Sequence, residues 1–373
     1  MSSDQSITPG PNRGFTSTLN TVTTTGTIST RNSRPYDRNF HQNLVDGGVY
    51  PEEYEYPDGR VPPSPSNWDE INRRLLQPRP SLSPSQFSDE DFKKFRRTNA
   101  HAFKEREVTA FVIPIIEGEI GDNRCAAGKV PLTNFDPLTN GKLAPGNPDL
   151  FYGARPEQLD RRVRNELSGH IIPSTQRDLP IAPTFFLASK GPHGTADVAG
   201  RQACYDGALG ARGIHSLQTY GQDETTYDNN AYTLTSIYSD GQLKMYTSRP
   251  SQPANEGGRP EYYMDQIGGW SMNGNADAFR QGAAAYRNGR EWAKEKREEF
   301  IRAANARMTS PARNASFVSP DCSQPSACTN RTAAAPESEK FTESDNTGDE
   351  RQRSGQTVEE KETDGLSEPV QAQ

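Results

Sequence analysis

The sequence has few hydrophobic residues and no long hydrophobic run. Only 31% of its 373 residues are hydrophobic, and its mean hydropathy is −0.90. Chains this polar bury too little apolar surface to offset the entropy lost on ordering, so we expect much of the chain to be unfolded. Because it has neither a membrane-length apolar run nor a basic segment leading into one at the N-terminus, we expect an intracellular protein, nuclear or cytoplasmic, that does not enter a membrane.

Cysteine is also scarce. The four cysteines, Cys125, Cys204, Cys322 and Cys328, have no CxxC spacing of the kind that binds zinc. Their scatter excludes a zinc site of that type and fits a reducing compartment.

Excess charge is confined to the C-terminal segment. The net charge is −7, and the segment from Pro336 to the end holds eleven acids and four bases, which accounts for the whole excess. The remainder is neutral, so the net charge does not exclude a basic groove.

Composition divides the chain into three parts. Residues 1–80 are dominated by Ser, Thr, Asn, Pro and Gly, and residues 309–373 are equally poor in apolar residues. We expect both to be disordered, the second as an acidic tail. Residues 81–308 hold most of the Phe, Ile, Leu and Val residues, enough for one domain.

Helix and strand signals recur through residues 81–308. Ser88 followed by three acids predicts a helix that runs towards Val108 and ends before Pro114. A strand is expected near 150–152, a second helix from Pro156 to Gly169, a continuously apolar central strand at 184–189, and a third helix capped by Thr195 or Asp197. Asp240-Gly241 predicts a hairpin, followed by a strand in EYYMDQIGGWSM and a last helix from Asn275 to about Met308.

The order of these elements predicts an α/β or α+β domain. One mixed β-sheet is expected, flanked by helices.

Two short segments could carry chemistry. Pro148-Asp149 precedes one expected strand, and Lys190 ends another. Carboxylates at adjacent strand ends suit Mg²⁺, and a lysine beside them can orient or help to deprotonate an attacking water. This combination would support hydrolysis of a phosphodiester.

The domain resembles the PD-(D/E)xK nuclease-like domains common in fungal proteins. The likeness covers roughly residues 81–308 and rests on segments that include LSPSQFSDEDFKKFRRTNAHAFKEREVTAFVIPIIEG, FFLASKG, ADVAGRQACYDGALGARGIHSLQTYG and GGRPEYYMDQIGGW. It implies a restriction-endonuclease-like sheet.

The resemblance also implies roles for individual residues. Asp149 would be the metal-binding acid and Lys190 the catalytic lysine, with Glu105 as an accessory metal ligand. Gln202, Tyr205 and Arg212 would approach the phosphate. The basic residues Arg161 and Arg164, on the expected second helix, add candidates for nucleic-acid contact.

The pattern departs from the family at one position. Ala188 stands where the second acid belongs, so Mg²⁺ would lose a ligand unless Glu105, Asp197 or Asp206 replaces it. Each residue also has a simpler interpretation: Asp149 in a turn, Lys190 at a solvated strand tip, and Glu105 on a charged helix face.

Three functions follow from these observations. We expect a nuclease-fold domain that binds nucleic acid and is inactive or weakly active. The alternatives are an active phosphodiesterase that uses Mg²⁺ on DNA or RNA, and a protein-interaction scaffold with partners bound through its tails.

Overall fold

Seven strands form one sheet in the described part of this computed structural model, residues 32–309, with the side chain of Thr309 left out. Their bounds are Val49–Tyr50 (β1), Ala126–Ala127 (β2), Leu150–Ala154 (β3), Ile181–Lys190 (β4), Thr233–Ser239 (β5), Gln242–Ser251 (β6) and Glu261–Ser271 (β7). The order across the sheet is β1-β7-β6-β5-β4-β3-β2. The β4–β5 and β1–β7 pairs are parallel and the other four are antiparallel.

Helices cover both faces of this mixed sheet. They are Phe40–Val45 (α1), Trp68–Leu75 (α2), Asp89–His101 (α3), Glu105–Glu107 (α4), Ile113–Glu117 (α5), Arg161–Glu166 (α6), Ser168–Ile171 (α7), Ala196–Thr219 (α8) and Ala276–Thr309 (α9). A π-helical segment, Val108–Val112, joins α4 to α5, and short 3₁₀ helices span Pro80–Leu82, Asn123–Cys125 and Pro156–Gln158. The expected α/β class, a mixed sheet flanked by helices, is confirmed.

Strand β4 lies inside the sheet, between β5 and β3. All ten of its residues are buried. Successive side chains of a strand point to opposite faces, and Phe185 joins the core cluster that contains α9, whereas Phe186 and Ala188 join the cluster that contains α8. This double burial explains the continuous apolar run that predicted a central strand.

Helix α8 packs closely on the sheet through its glycines. A Cβ atom at Gly210 would lie 2.6 Å from the ring of Phe186. Thr195 caps the helix, since its hydroxyl accepts a hydrogen bond from the Val198 amide at 3.4 Å. Of the two predicted caps, the structure uses Thr195.

The predicted hairpin is present. Asp240 and Gly241 both have positive φ, 48° and 74°, and they join β5 to β6. Two positive φ values in succession define the type I′ turn that Asp-Gly favours.

The first predicted helix has a different course from the one expected. The Ser88 cap is present, with the Asp91 amide donating to Ser88 Oγ at 3.2 Å, but α3 ends at His101. A second helical run then continues through Pro114 to Glu117. Pro114 is tolerated because it lies in the first turn of α5, directly after the π-helical segment, where its missing N–H costs little.

The helix expected from Pro156 to Gly169 is broken into three pieces. The 3₁₀ helix at Pro156–Gln158 is followed by α6 and α7. Asp160 interrupts the run because its side chain caps α6, accepting a hydrogen bond from the Arg162 amide at 2.7 Å.

Folded structure begins before residue 81, the start expected from composition. Residues 32–80 include α1, β1 and α2, and β1 pairs with β7. Phe40 and Leu44 of α1 are buried against α8, so a few well-placed side chains anchor a polar segment. Residues 1–31 and 310–373 lie outside the described part. The disorder predicted for them therefore stays a prediction.

The helices that the structure describes include none that is both long enough and apolar enough to cross a membrane.

Candidate functional site

The register of β3 and β4 brings Asp149 next to Lys190. Leu150 pairs with Leu187 in this antiparallel pair, so Asp149, one residue earlier, lies opposite Ala188. Asp149 Oδ2 accepts a hydrogen bond from the Ser189 amide at 2.8 Å. The acid is therefore fixed to the backbone amide of the residue before Lys190.

Lys190 is buried and ion-paired. Its side chain is 2% exposed, and its Nζ lies 3.1 Å from Oε2 of Glu105, the first residue of α4. A lysine in the interior must be paired or neutral. The lysine is therefore not a solvated strand tip, and Glu105 supplies its counter-charge.

Two hydroxyl groups hold α4 against the end of β4. Thr109 Oγ1 donates to the carbonyl of Glu105 at 2.9 Å and lies 2.8 Å from Ser189 Oγ. Because the Thr109 proton is directed at the carbonyl, Ser189 is the donor in the second bond. This chain of bonds fixes Glu105 beside Lys190.

A third acid, Asp206, approaches from α8. It is 2% exposed, and burial raises its pKa well above the usual range; the charge of Asp149 raises it further, while Lys190 lowers it. Burial also raises the pKa of Asp149, an effect that the Ser189 amide and Lys190 oppose and the charge of Glu105 reinforces. Three acids thus surround one lysine, and burial favours the protonated form of Asp206.

We call Glu105, Asp149, Lys190 and Asp206 the acid–lysine cluster. Ala188, where the family pattern has an acid, packs instead in the apolar cluster under α8. Asp206 lies on α8, the helix that covers this face of the sheet. The strand therefore lacks an acid at position 188, and the helix above it supplies one. The sequence signal for it is an acid among the alanines and glycines of a helix face that packs on a sheet.

The loop from Gly191 to Thr195 closes over the cluster. A Cβ atom at Gly194 would lie 2.8 Å from Lys190 Cβ, and one at Gly191 would lie 2.8 Å from the amide nitrogen of Glu105. Both glycines allow the loop to contact the lysine and the start of α4 directly. Asp149, Lys190 and Asp206 are all buried.

The cluster holds carboxylate oxygens, and two of its acids already have hydrogen-bond or ion-pair partners. Carboxylate oxygens are the ligands that Mg²⁺ prefers. However, between residues 32 and 309 no group of three or more His, Cys, Asp or Glu side chains is placed to hold a metal ion. Glu105 is directed at Lys190, and Asp149 at the Ser189 amide.

Gln202 and Tyr205 lie on α8 close in sequence to Asp206, but their side chains have different environments. Gln202 is one helical turn before Asp206, and its buried Oε1 has no hydrogen-bond partner among the described residues. The Tyr205 ring is buried edge-on against Phe40, with ring centroids 5.9 Å apart, and burial raises its pKa to about 12.

The three arginines named from the sequence are directed elsewhere. Arg212 donates to the carbonyls of Asp136 and Gly169, at 2.7 and 3.2 Å, and so joins α8 to the Asp136 loop and to α7. Arg161 and Arg164 line a cavity of about 330 Å³ together with Ile181. Ile181 begins β4 and Lys190 ends it, so that cavity is roughly 30 Å along the strand from the cluster.

Free cations lie around the cluster instead. Lys104 and Arg106 flank Glu105 in the chain, and the Lys129 amide donates to the carbonyl of Pro148, next to Asp149, at 3.2 Å. All three are exposed, and in the part of the chain that the structure describes, none forms an ion pair. Sequence reasoning missed these residues because nothing in the local pattern indicates where a loop lysine will lie.

Comparison with protein-family models, curated proteins and solved structures gives no match to this chain, so its function has to be inferred from the site itself.

Proposed function

We propose that this chain is a nuclease-fold domain that binds the phosphate backbone of nucleic acid and has little or no hydrolytic activity. The observation that carries the proposal is the placement of Asp149 beside the Lys190 end of β4, with Glu105 and Asp206 converging on the same lysine.

The chain order of the elements around the cluster supports the nuclease-like part of the proposal. An acid precedes β3, a lysine ends the antiparallel β4, α8 crosses over, and β5 returns parallel to β4. This order is consistent with the restriction-endonuclease-like core that the resemblance implies. Fold alone does not decide activity.

The state of the cluster argues against efficient hydrolysis. A catalytic lysine has to reach the attacking water, but Lys190 is buried and its charge is matched by Glu105. Ala188 supplies no ligand, and burial raises the pKa of Asp206, which disfavours the ionised form that binds a metal. Each change removes a part that phosphodiester cleavage requires.

The exposed cations support phosphate binding. Lys104, Arg106 and Lys129 have no carboxylate partners within the described residues, so they can pair with phosphates without breaking an existing ion pair. Each phosphate that a lysine or arginine neutralises releases counterions, which makes affinity fall as salt rises.

Anisotropy of labelled DNA and RNA tests this proposal. We expect binding in the presence of EDTA that weakens steeply between about 50 and about 200 mM salt. Neutralising Lys104, Arg106 or Lys129 to Gln should weaken binding and reduce the magnitude of the salt slope by about 1 for each change.

The matched control is Lys294→Gln. Lys294 is also exposed but pairs with Glu298 on α9, so its replacement should leave the slope unchanged. The proposal is wrong if no nucleic acid binds at low salt, or if Lys294→Gln weakens binding as much as Lys104→Gln does.

A further inference from the structure

Two phenylalanines are exposed beside the acid–lysine cluster. Phe103 is 64% exposed and Phe111 is 61% exposed. Of the large hydrophobic residues that are exposed in residues 32–309, these are the only phenylalanines; Phe103 lies in the turn before α4, and Phe111 lies eight positions later in the π-helical segment. An exposed aromatic pair next to a candidate site indicates a contact surface.

The backbone holds both rings outward. The amides of Phe103 and Lys104 donate to Glu107 Oε2, at 2.8 and 3.1 Å, so the turn before α4 is fixed. In the π-helical segment, Val108 and Val112 are buried while Phe111 is not. The wider π turn advances each residue by a smaller angle than an α-helix does, which moves Phe111 off the buried face.

Charge distinguishes between the ligands that such rings could take. The segment between the two phenylalanines carries Lys104 and Arg106, both exposed and without an ion pair in the described chain. Aromatic rings interleaved with free cations match a strand of unpaired bases, where bases stack on rings and phosphates pair with cations. A duplex presents phosphates but keeps its bases stacked inside.

We infer that Phe103 and Phe111 form a stacking surface and that the ligand is single-stranded nucleic acid. This inference rests on the proposed function and narrows it, because it names which form of nucleic acid the domain selects. The strand would cross α4, with bases on the two rings and phosphates on Lys104 and Arg106.

Titration of labelled single-stranded poly(dT), and of a duplex, with the full chain tests the inference. Wild type should bind the single strand more tightly than the duplex. Phe103→Ala and Phe111→Ala should each weaken single-strand binding about 5- to 100-fold, while Phe103→Trp retains it, because a tryptophan ring still stacks. Leu76→Ala is the control, since Leu76 is 70% exposed at the end of α2 and should leave affinity unchanged.

The outcomes separate this inference from the proposed function. If wild type binds neither probe, the proposed function fails. If wild type binds the single strand and the two alanine variants bind it as tightly as wild type does, only the stacking inference fails. The same holds if wild type prefers the duplex. A change in oligomeric state without a change in oligonucleotide affinity would assign the rings to a protein contact and also overturn it.

Discussion

Glu105 and Lys190 form an ion pair of 3.1 Å in which the lysine is almost fully buried and the acid is partly exposed. A helix start and a strand end, 85 positions apart in the chain, are thereby joined at one point. In the proposed function, this ion pair gives Lys190 a structural role and not a catalytic one. Substitutions in the pair and in its surroundings test that role.

Glu105→Gln should destabilise the fold because it removes the carboxylate that is ion-paired with the buried Lys190 ammonium. We expect a loss of about 1–3 kcal/mol in the free energy of unfolding, measured with urea. Glu90→Gln, which breaks an exposed pair on α3, should cost less than about 0.5 kcal/mol. The double change Glu105→Gln with Lys190→Met should recover part of the loss, and equal costs for Glu105→Gln and Glu90→Gln would contradict the account.

Asp206→Asn should change how stability depends on pH. The pKa of Asp206 is raised in the folded chain, so the native state holds its proton when an unfolded aspartate, with a pKa near 3.9, has lost it. The stability this contributes is complete below about pH 4 and is lost as pH rises through the folded pKa. Thermal unfolding from acid to mildly alkaline pH should therefore show Asp206→Asn gaining stability relative to wild type as pH rises; a constant difference would be inconsistent with a raised pKa for Asp206.

Gly194→Ala should displace the loop that covers the cluster. The new Cβ would lie 2.8 Å from Lys190 Cβ, so we expect a loss of about 1–3 kcal/mol from overpacking. By contrast, a Cβ atom at Gly200 of α8 would meet only open space within 4 Å, and Gly200→Ala should stabilise the helix by about 0.5–1 kcal/mol. Opposite signs in urea unfolding are expected, and a stabilising Gly194→Ala would show that the loop does not pack on Lys190.

Arg212→Ala should reduce stability and leave nucleic-acid affinity unchanged. The guanidinium donates to the backbone carbonyls of Asp136 and Gly169, and the loss of both hydrogen bonds should cost about 2–4 kcal/mol. Lys104→Gln should do the reverse, weakening oligonucleotide binding with little effect on unfolding. If Arg212→Ala folds but binds nucleic acid weakly, the result would support the phosphate contact that the sequence predicted for Arg212.

Much of the site could be predicted because strong local signals coincide in β4. Its continuous apolar run identifies a central strand, and such a strand places Lys190 at its end whatever the rest of the chain does. The adjacency of Asp149 then needs only that β3 pairs with β4. The Asp240-Gly241 turn and the Thr195 cap are similarly local.

The remaining features depend on contacts between distant segments. Phe40 is buried against α8 and helps to anchor residues 32–80 in the fold. No local sequence pattern indicates this distant contact. The π-helical segment before Pro114 overrides a helix-breaking residue. Charge alone makes Arg161 and Arg164 candidates for nucleic-acid contact, but they lie near the end of β4 that is opposite to Lys190.

The most direct test of the central claim is a cleavage assay on DNA and RNA already bound to the chain, started with Mg²⁺ or Mn²⁺. We predict that the bound strands remain intact, and that wild type, Asp149→Ala and Lys190→Ala do not differ. Cleavage by wild type that requires the divalent ion and disappears in both variants would show that the cluster is a working active site.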